Sequence, residues 1–267
     1  MFKQLFLLTL LLGLISCKKQ VPEKTNIVTK VIYNTPSPAI TKPTPPFNKD
    51  FVLGKFNYKT DTTFTKVSLK HASKVVYLKK ETYNAFKKMH TEANKNGINL
   101  IIISGTRNFY EQKIIWERKW NTYKNLPPLN RAKKILEFSS MPTTSRHHWG
   151  TDIDLINLNN TYFNTGKGKK AYNWLTKNAN KYGFYQVYTD KKNGRTGYNL
   201  EKWHWSYLPL ASQYLKYYNN NISYNDIKDF KGANLAKEAL MITNYVNGVS
   251  KKIKNFKTTN KNTLRSY

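Results

Sequence analysis

Thirteen residues from Thr143 to Leu155 read TTSRHHWGTDIDL. They hold two of the chain's five histidines and two of its fifteen acidic residues, beside a glycine and a tryptophan. Any fold of this chain has to place that polar cluster somewhere useful or pay for its desolvation. Two readings are open: a metal site, or a polar turn entering a strand. Residues 151–155 read as the strand. If that segment is extended, Asp152 and Asp154 share one face.

The rest of the chain sets the frame. ETYNAFKKMHTEANKNG spaces Tyr83, Phe86, Met89 and Ala93 as on a helix, and Gly97 follows as a stop signal. INLIIISG, residues 98–105, reads as a short buried strand. TRNFYEQKIIWERKW returns to helical spacing, Pro127 and Pro128 interrupt it, and NRAKKILEF reads as another short helix. KKAYNWLTKNANKYGF is an amphipathic helix closed by Gly183, and KWHWSYL alternates as a strand. Two further helices are expected near 209–218 and 233–247. Helices and strands mix without a βαβ rhythm, so the fold class is α+β with a small, mainly antiparallel sheet and flanking helices.

The N-terminus has a different character. Lys3 precedes an apolar run from Leu5 to Ile15, too short for a bilayer core that needs about 20 residues. It ends in LISC, and Cys17 is the only cysteine of the chain. This is the shape of a secretion signal, and its end resembles the lipobox of bacterial lipoproteins. The expected organisation is a signal peptide over 1–16, a flexible lipid-anchored linker over 17–50 rich in Pro, Thr, Lys and Asn, a folded domain over 51–248, and a frayed basic tail over 249–267. The expected location is the cell envelope, on the membrane through lipid on Cys17 and facing the periplasm. His71 and His90 are expected at the surface without a role.

The formal net charge of +30 raises a nucleic-acid partner. The lysines are spread along the whole chain, no Gly-rich phosphate loop occurs, and export removes the chain from the cytoplasm. No nucleic-acid partner is therefore expected; anionic wall polymer and lipid head groups are the counterparts of such a charge.

A hydrolytic zinc site wants about three His or carboxylate ligands and one position for water. His147 and Asp154 come from the loop and strand of the quoted stretch. His204 in EKWHW is the third candidate, and Glu201 lies three residues before it. On one regular strand 201 and 204 would face opposite ways, so Glu201 has to sit on a turn leading into the strand. Asp152 competes with Asp154 as ligand, and His148 reads as a packing or supporting group. Trp149 is a candidate for the cleft wall.

Three blocks carry a family resemblance. SRHHWGTDID is similar to the Ser-x-His-x-x-Gly-x-x-x-Asp motif of the M15 zinc metallopeptidases, which include VanY-like D-alanyl-D-alanine carboxypeptidases, dipeptidases and phage endolysins. EKWHW resembles their Glu-x-x-His motif, and SGTRNFYEQ resembles their Ser-Gly-x-Arg block with a downstream Gln. The blocks span roughly 104 to 207 in family order. Asp152 departs from the pattern, because many members carry a small residue there. The resemblance implies a hedgehog/D,D-peptidase-like fold and one zinc per chain on His147, Asp154 and His204. It implies Glu201 as general base and Arg107 stabilising negative charge beside the substrate. Ser104, Gln112 and Ser145 would bind substrate or position groups around it. The function it implies is hydrolysis of peptidoglycan stem peptides by a D-alanyl-D-alanine carboxypeptidase; a monomer is expected. The alternatives are an L-alanyl-D-glutamate endopeptidase, or a wall-binding lipoprotein that has lost activity.

Overall fold

Two antiparallel sheets and seven α-helical segments make up the described part of the protein, residues 47–257 of a computed structural model. The expected signal and Cys17, most of the expected linker, and residues 258–267 lie outside the described residues. No described helix is long and apolar enough to cross a membrane.

The chain enters through α1 (Lys49–Val52), capped by the Asn48 side chain, and forms a two-stranded sheet from β1 (Phe64–Lys66) and β2 (Tyr77–Lys79). The sequence reading contained neither strand: three residues each, among lysines and threonines, are too short for a period of two to show. α2 (Lys80–Lys95) follows with Phe86, Met89 and Ala93 buried at the expected spacing. β3 (Ile102–Ser104) pairs over only part of the apolar run 98–105. α3 (Phe109–Thr122) and α4 (Pro128–Ile135) come next, then β4 (Asp152–Leu155), α5 (Gly166–Asn178), β5 (Phe184–Gln186), β6 (His204–Tyr207), α6 (Leu208–Asn221) and α7 (Lys251–Lys254).

The second sheet positions the site. Its order is β3-β4-β6-β5, antiparallel throughout, with Asp152 opposite Ser206, Ile153 opposite Trp205 and Asp154 opposite His204. Opposed residues share a face, and neighbours alternate. Ile153, Leu155 and Trp205 therefore go down into the core under α2 and α5 with Ile102, Phe86, Leu175 and Phe184. Asp152, Asp154, His204 and Ser206 go up together. DIDL and HWSY are strands whose apolar residues drive burial of one face and so fix where the polar residues of the other must point.

Two expectations for the C-terminal part are corrected. Residues 233–247 are not one helix: a short turn at Ala233–Leu235 and a π-helical segment at Met241–Val246 flank Leu240, which has φ 53°. Ile242, Thr243, Asn244 and Val246 are weak helix formers, and packing of Ala236, Ala239, Met241 and Val246 decides the path instead. The segment from 249 is not frayed where it is described: Val249, Ser250 and Ile253 are buried, and Phe256 packs edge-on to Tyr185. His90 is also buried rather than at the surface, its ring 4.5 Å from that of His71 and Nε2 3.2 Å from Asn99 Oδ1.

Candidate metal centre

A 3₁₀ turn, Arg146–Trp149, delivers His147. Ser145 caps it, its hydroxyl accepting from the His147 N–H at 3.3 Å. Gly150 ends it with φ 72°, a conformation that frees the chain to enter β4; a Cβ there would run into the Phe64 ring. His147 Nδ1 lies 2.8 Å from the Gly105 carbonyl, an oxygen that can only accept. The proton is therefore on Nδ1, and Nε2 is left as a free donor atom 3.3 Å from Asp154 Oδ2.

His204 opens β6 directly across from Asp154. Its Nδ1 lies 3.2 Å from Asp154 Oδ1 and 3.3 Å from Glu201 Oε2, and its Nε2 lies 3.0 Å from Asp152 Oδ1. Glu201 precedes the strand on a turn closed by the His204 N–H to the Glu201 carbonyl, the geometry that parity along the strand required. The Glu201 N–H donates to the Tyr188 carbonyl, and Gln186 Nε2 donates to the Glu201 carbonyl at 3.1 Å, so the base candidate hangs from a fixed backbone.

One ligand atom each from His147, Asp154 and His204 lies within 4.8 Å of the others. All three residues are buried. Asp154 Oδ1 is buried and has no hydrogen-bond partner among the described residues. An orphaned carboxylate oxygen beside two imidazole nitrogens is costly unless something cationic joins them. The two-His, one-carboxylate donor set suits zinc.

Asp152 shows the opposite state. Oδ1 accepts from Arg146 Nε at 2.9 Å and faces His204 Nε2; Oδ2 accepts from Thr151 Oγ1 at 2.7 Å and Ser206 Oγ at 2.9 Å. A carboxylate has about four lone-pair sites, and these contacts fill them, so Asp152 has nothing left for a metal. Of the two aspartates, Asp154 is the one with an oxygen that has no hydrogen-bond partner among the described residues.

Charges shape the centre. Burial raises the pKa of Glu201 above the usual carboxylate value against the pull of His204. Burial, then the nearby Arg107 guanidinium, lowers that of His147. Burial opposes ionisation of Asp154, yet His147 and His204 hold its pKa well below the usual range. His204 is likewise desolvated, but Asp152, Asp154 and Glu201 together push its pKa well above 6.5.

Arg107 sits one residue before the Asn108 cap of α3, whose capping box with Glu111 fixes the start of the helix. Its Nε donates to Gln112 Oε1 at 3.0 Å, its Nη1 bonds Ser104 Oγ, and Nη1 lies 4.0 Å from Asp154 Oδ2. Gln112 is itself held by its Nε2 to the Ser140 carbonyl at 2.8 Å. Ser104 and Gln112 line the cleft, and what they grip is the arginine. His148 supports the same loop: Nε2 accepts from the Thr143 N–H at 3.1 Å and Nδ1 donates to the Arg107 carbonyl at 2.7 Å. Burial lowers its pKa to about 3, so it stays neutral.

The centre opens on a cleft of about 670 Å³ walled by Tyr188, Tyr198, Trp203, Phe138 and the cations Lys74, Arg118 and Lys119. The chain matches the family model of VanY, D-alanyl-D-alanine carboxypeptidase, over residues 75–210. It belongs to the VanY family. YodJ of Bacillus subtilis (strain 168) is 30% identical over 169 residues, 60% of this chain and 58% of YodJ. A D-alanyl-D-alanine carboxypeptidase of Enterococcus faecium is 29% identical over 137 residues, 51% of this chain and 39% of that protein. The match thus spans less than two thirds of either relative. The LdcB LD-carboxypeptidase structure is similar at 25% identity and a TM-score of 0.48, over 64% of this chain and 77% of that one. For VanYB in complex with D-Alanine-D-Alanine the values are 22%, 0.46, 61% and 86%.

Two candidates drawn from the sequence of this VanY-family chain are not on the cleft wall. Trp149 is 1% exposed, its indole N–H donates to the Val52 carbonyl at 3.0 Å, and its ring packs near Tyr214 and Tyr218. The partners come from distant segments, which is why its neighbours in sequence misplace it. Ser145 is buried beneath the turn that it caps. Conversely, Tyr188, Tyr198, Lys119, Arg146 and Ser206 belong to the site or its walls and were missed. For Arg146 and Ser206 a signal existed: each lies within two residues of a ligand candidate.

Proposed function

We propose that the protein is a zinc-dependent peptidase of peptidoglycan stem peptides, acting as a D-alanyl-D-alanine carboxypeptidase. The observation that carries this reading is the convergence of His147 Nε2, Asp154 and His204 Nδ1 within 4.8 Å, with Glu201 Oε2 3.3 Å from His204. Those three residues would hold a zinc ion, which would supply Lewis acidity for the attacking water and the scissile carbonyl. Glu201, buried and with a raised pKa, takes the proton of the attacking water and returns it to the leaving amine. Arg107, clamped by Ser104 and Gln112, holds fixed positive charge beside Asp154 for the developing oxyanion.

Charge on the walls supports cleavage next to a free C-terminus. Lys74, Arg118 and Lys119 join Arg107, whereas the lining acids are Asp154 and Glu201, both committed to the chemistry. Among the described residues Lys119 Nζ is paired only with Ser139 Oγ at 2.6 Å, so a terminal carboxylate finds a cation without an acidic partner. The test is mass spectrometry of a synthetic stem pentapeptide ending in D-Ala-D-Ala, offered as free acid and as terminal amide. Loss of one D-alanine from the free acid, slowed in the amide, is expected. Cleavage between L-Ala and D-Glu instead would establish the endopeptidase alternative. No cleavage by zinc-loaded protein that still binds wall fragments would establish an inactive binding protein.

Export and anchoring belong to the same proposal and rest on the LISC end of the apolar run. Cys17→Ser should move the protein from the membrane fraction to the soluble fraction or leave the signal uncleaved; unchanged fractionation contradicts lipidation.

A further inference from the structure

We propose that Asp152, wholly buried opposite Ser206 on the β4–β6 face, is a positioning residue that decides which nitrogen of His204 faces the metal. The inference rests on the zinc reading above and concerns residues that reading does not use.

An imidazole ligates through an unprotonated nitrogen, so for Nδ1 to serve, the ring proton has to stay on Nε2. Nε2 points at Asp152 Oδ1, 3.0 Å away, and an ionised carboxylate can only accept. Nε2 therefore has an acceptor that the zinc reading does not otherwise use, whereas the carboxylates facing Nδ1, Asp154 and Glu201, are those that reading assigns to the ion and to the base. An asparagine here can turn its amide nitrogen towards the ring and favour the opposite tautomer.

Asp152 can do this because it is held rigidly and its charge is compensated. Arg146 Nε donates to Oδ1 at 2.9 Å and Arg146 Nη2 donates to Ser206 Oγ at 2.7 Å; that hydroxyl in turn donates to Oδ2. Thr151 fills the last position. Asp152, Thr151 and Ser206 are wholly buried and Arg146 is 2% exposed. The guanidinium also lies over the Trp149 ring, 4.8 Å from its centroid. Trp149, which does not reach the cleft, thus acts on the site through Arg146.

The register explains the economy of the arrangement. β4 and β6 present a block of four residues on one face, Asp154 opposite His204 and Asp152 opposite Ser206. The first pair would hold the ion and the second holds the first in orientation. Partners of this kind behind a metal-binding histidine typically cost about 10–100-fold in metal affinity when removed.

The test uses the mature full chain. Zinc dissociation constants are measured by competition with a chromophoric chelator for wild type, Asp152→Asn and Thr151→Val, with circular dichroism as the folding control. ¹⁵N NMR of the zinc-loaded protein reads the His204 tautomer. Wild type should carry the His204 proton on Nε2. D152N should bind zinc about 10–100-fold more weakly and lose that Nε2–H signature. T151V keeps the charge and the Arg146 pair, so it should weaken binding by a smaller factor without changing the tautomer. A folded D152N with wild-type affinity overturns the proposal. If D152N does not fold, the NMR of wild type decides, and a His204 proton on Nδ1 overturns it. A wild type that binds no zinc overturns the metal reading and this inference with it.

Discussion

Alanine at His147, Asp154 or His204 is expected to leave the purified protein with little bound zinc. Each residue supplies one of three atoms that lie within 4.8 Å of each other, and Asp152, whose lone pairs are filled, cannot take the place of any of them. Removing a partner behind a ligand costs about 10–100-fold in affinity, so removing the ligand itself should cost more. Asp154→Ala loses a negative charge as well as a donor and should be the most severe. His148→Ala is the control. Both nitrogens of His148 are engaged with backbone groups, so its loss should lower stability and leave zinc content near wild type. Zinc content measured by inductively coupled plasma mass spectrometry checks all four variants. About one zinc per chain in each of the three ligand variants would remove the assignment. Metal loss in H148A as complete as in H147A would mean the wrong histidine of the pair had been chosen.

How much of this was legible in the sequence follows from the range of each interaction. The alternation of Asp152-Ile153-Asp154-Leu155 encodes its own two faces, so the strand and the shared direction of the aspartates could be read locally. The position of Glu201 could be read too, because parity forbids 201 and 204 from sharing a strand face, and the turn that resolves this is present. The amphipathic spacing of Phe86, Met89 and Ala93 marked α2 for the same reason. What stayed hidden depends on pairing between distant segments. β1, β2 and β5 are three residues each and exist because of their partners. Trp149 is buried by Val52, Tyr214 and Tyr218, none of them near it in sequence. The motif resemblance already pointed to Asp154; that Asp152 is occupied by Arg146 and Ser206 could not be read, because those hydrogen bonds follow from the β4–β6 register rather than from composition. Ile253 was assigned to a frayed tail because its apolar partners lie outside the basic segment that contains it.

Glu201→Gln separates catalysis from binding, and with it the enzyme from a protein that merely holds wall fragments. The glutamine keeps the size of the side chain and its place on the turn before His204, but it cannot take a proton. Positioned general bases contribute roughly 10²–10⁴-fold, so turnover on a stem pentapeptide should fall at least about 100-fold. Glu201 is not among the three ligand candidates, so zinc should remain bound. The decisive measurement is release of terminal D-alanine by E201Q, assayed on the same preparation whose zinc content has been determined. The account predicts about one zinc per chain with turnover nearly abolished; wild-type turnover in zinc-loaded E201Q would contradict it.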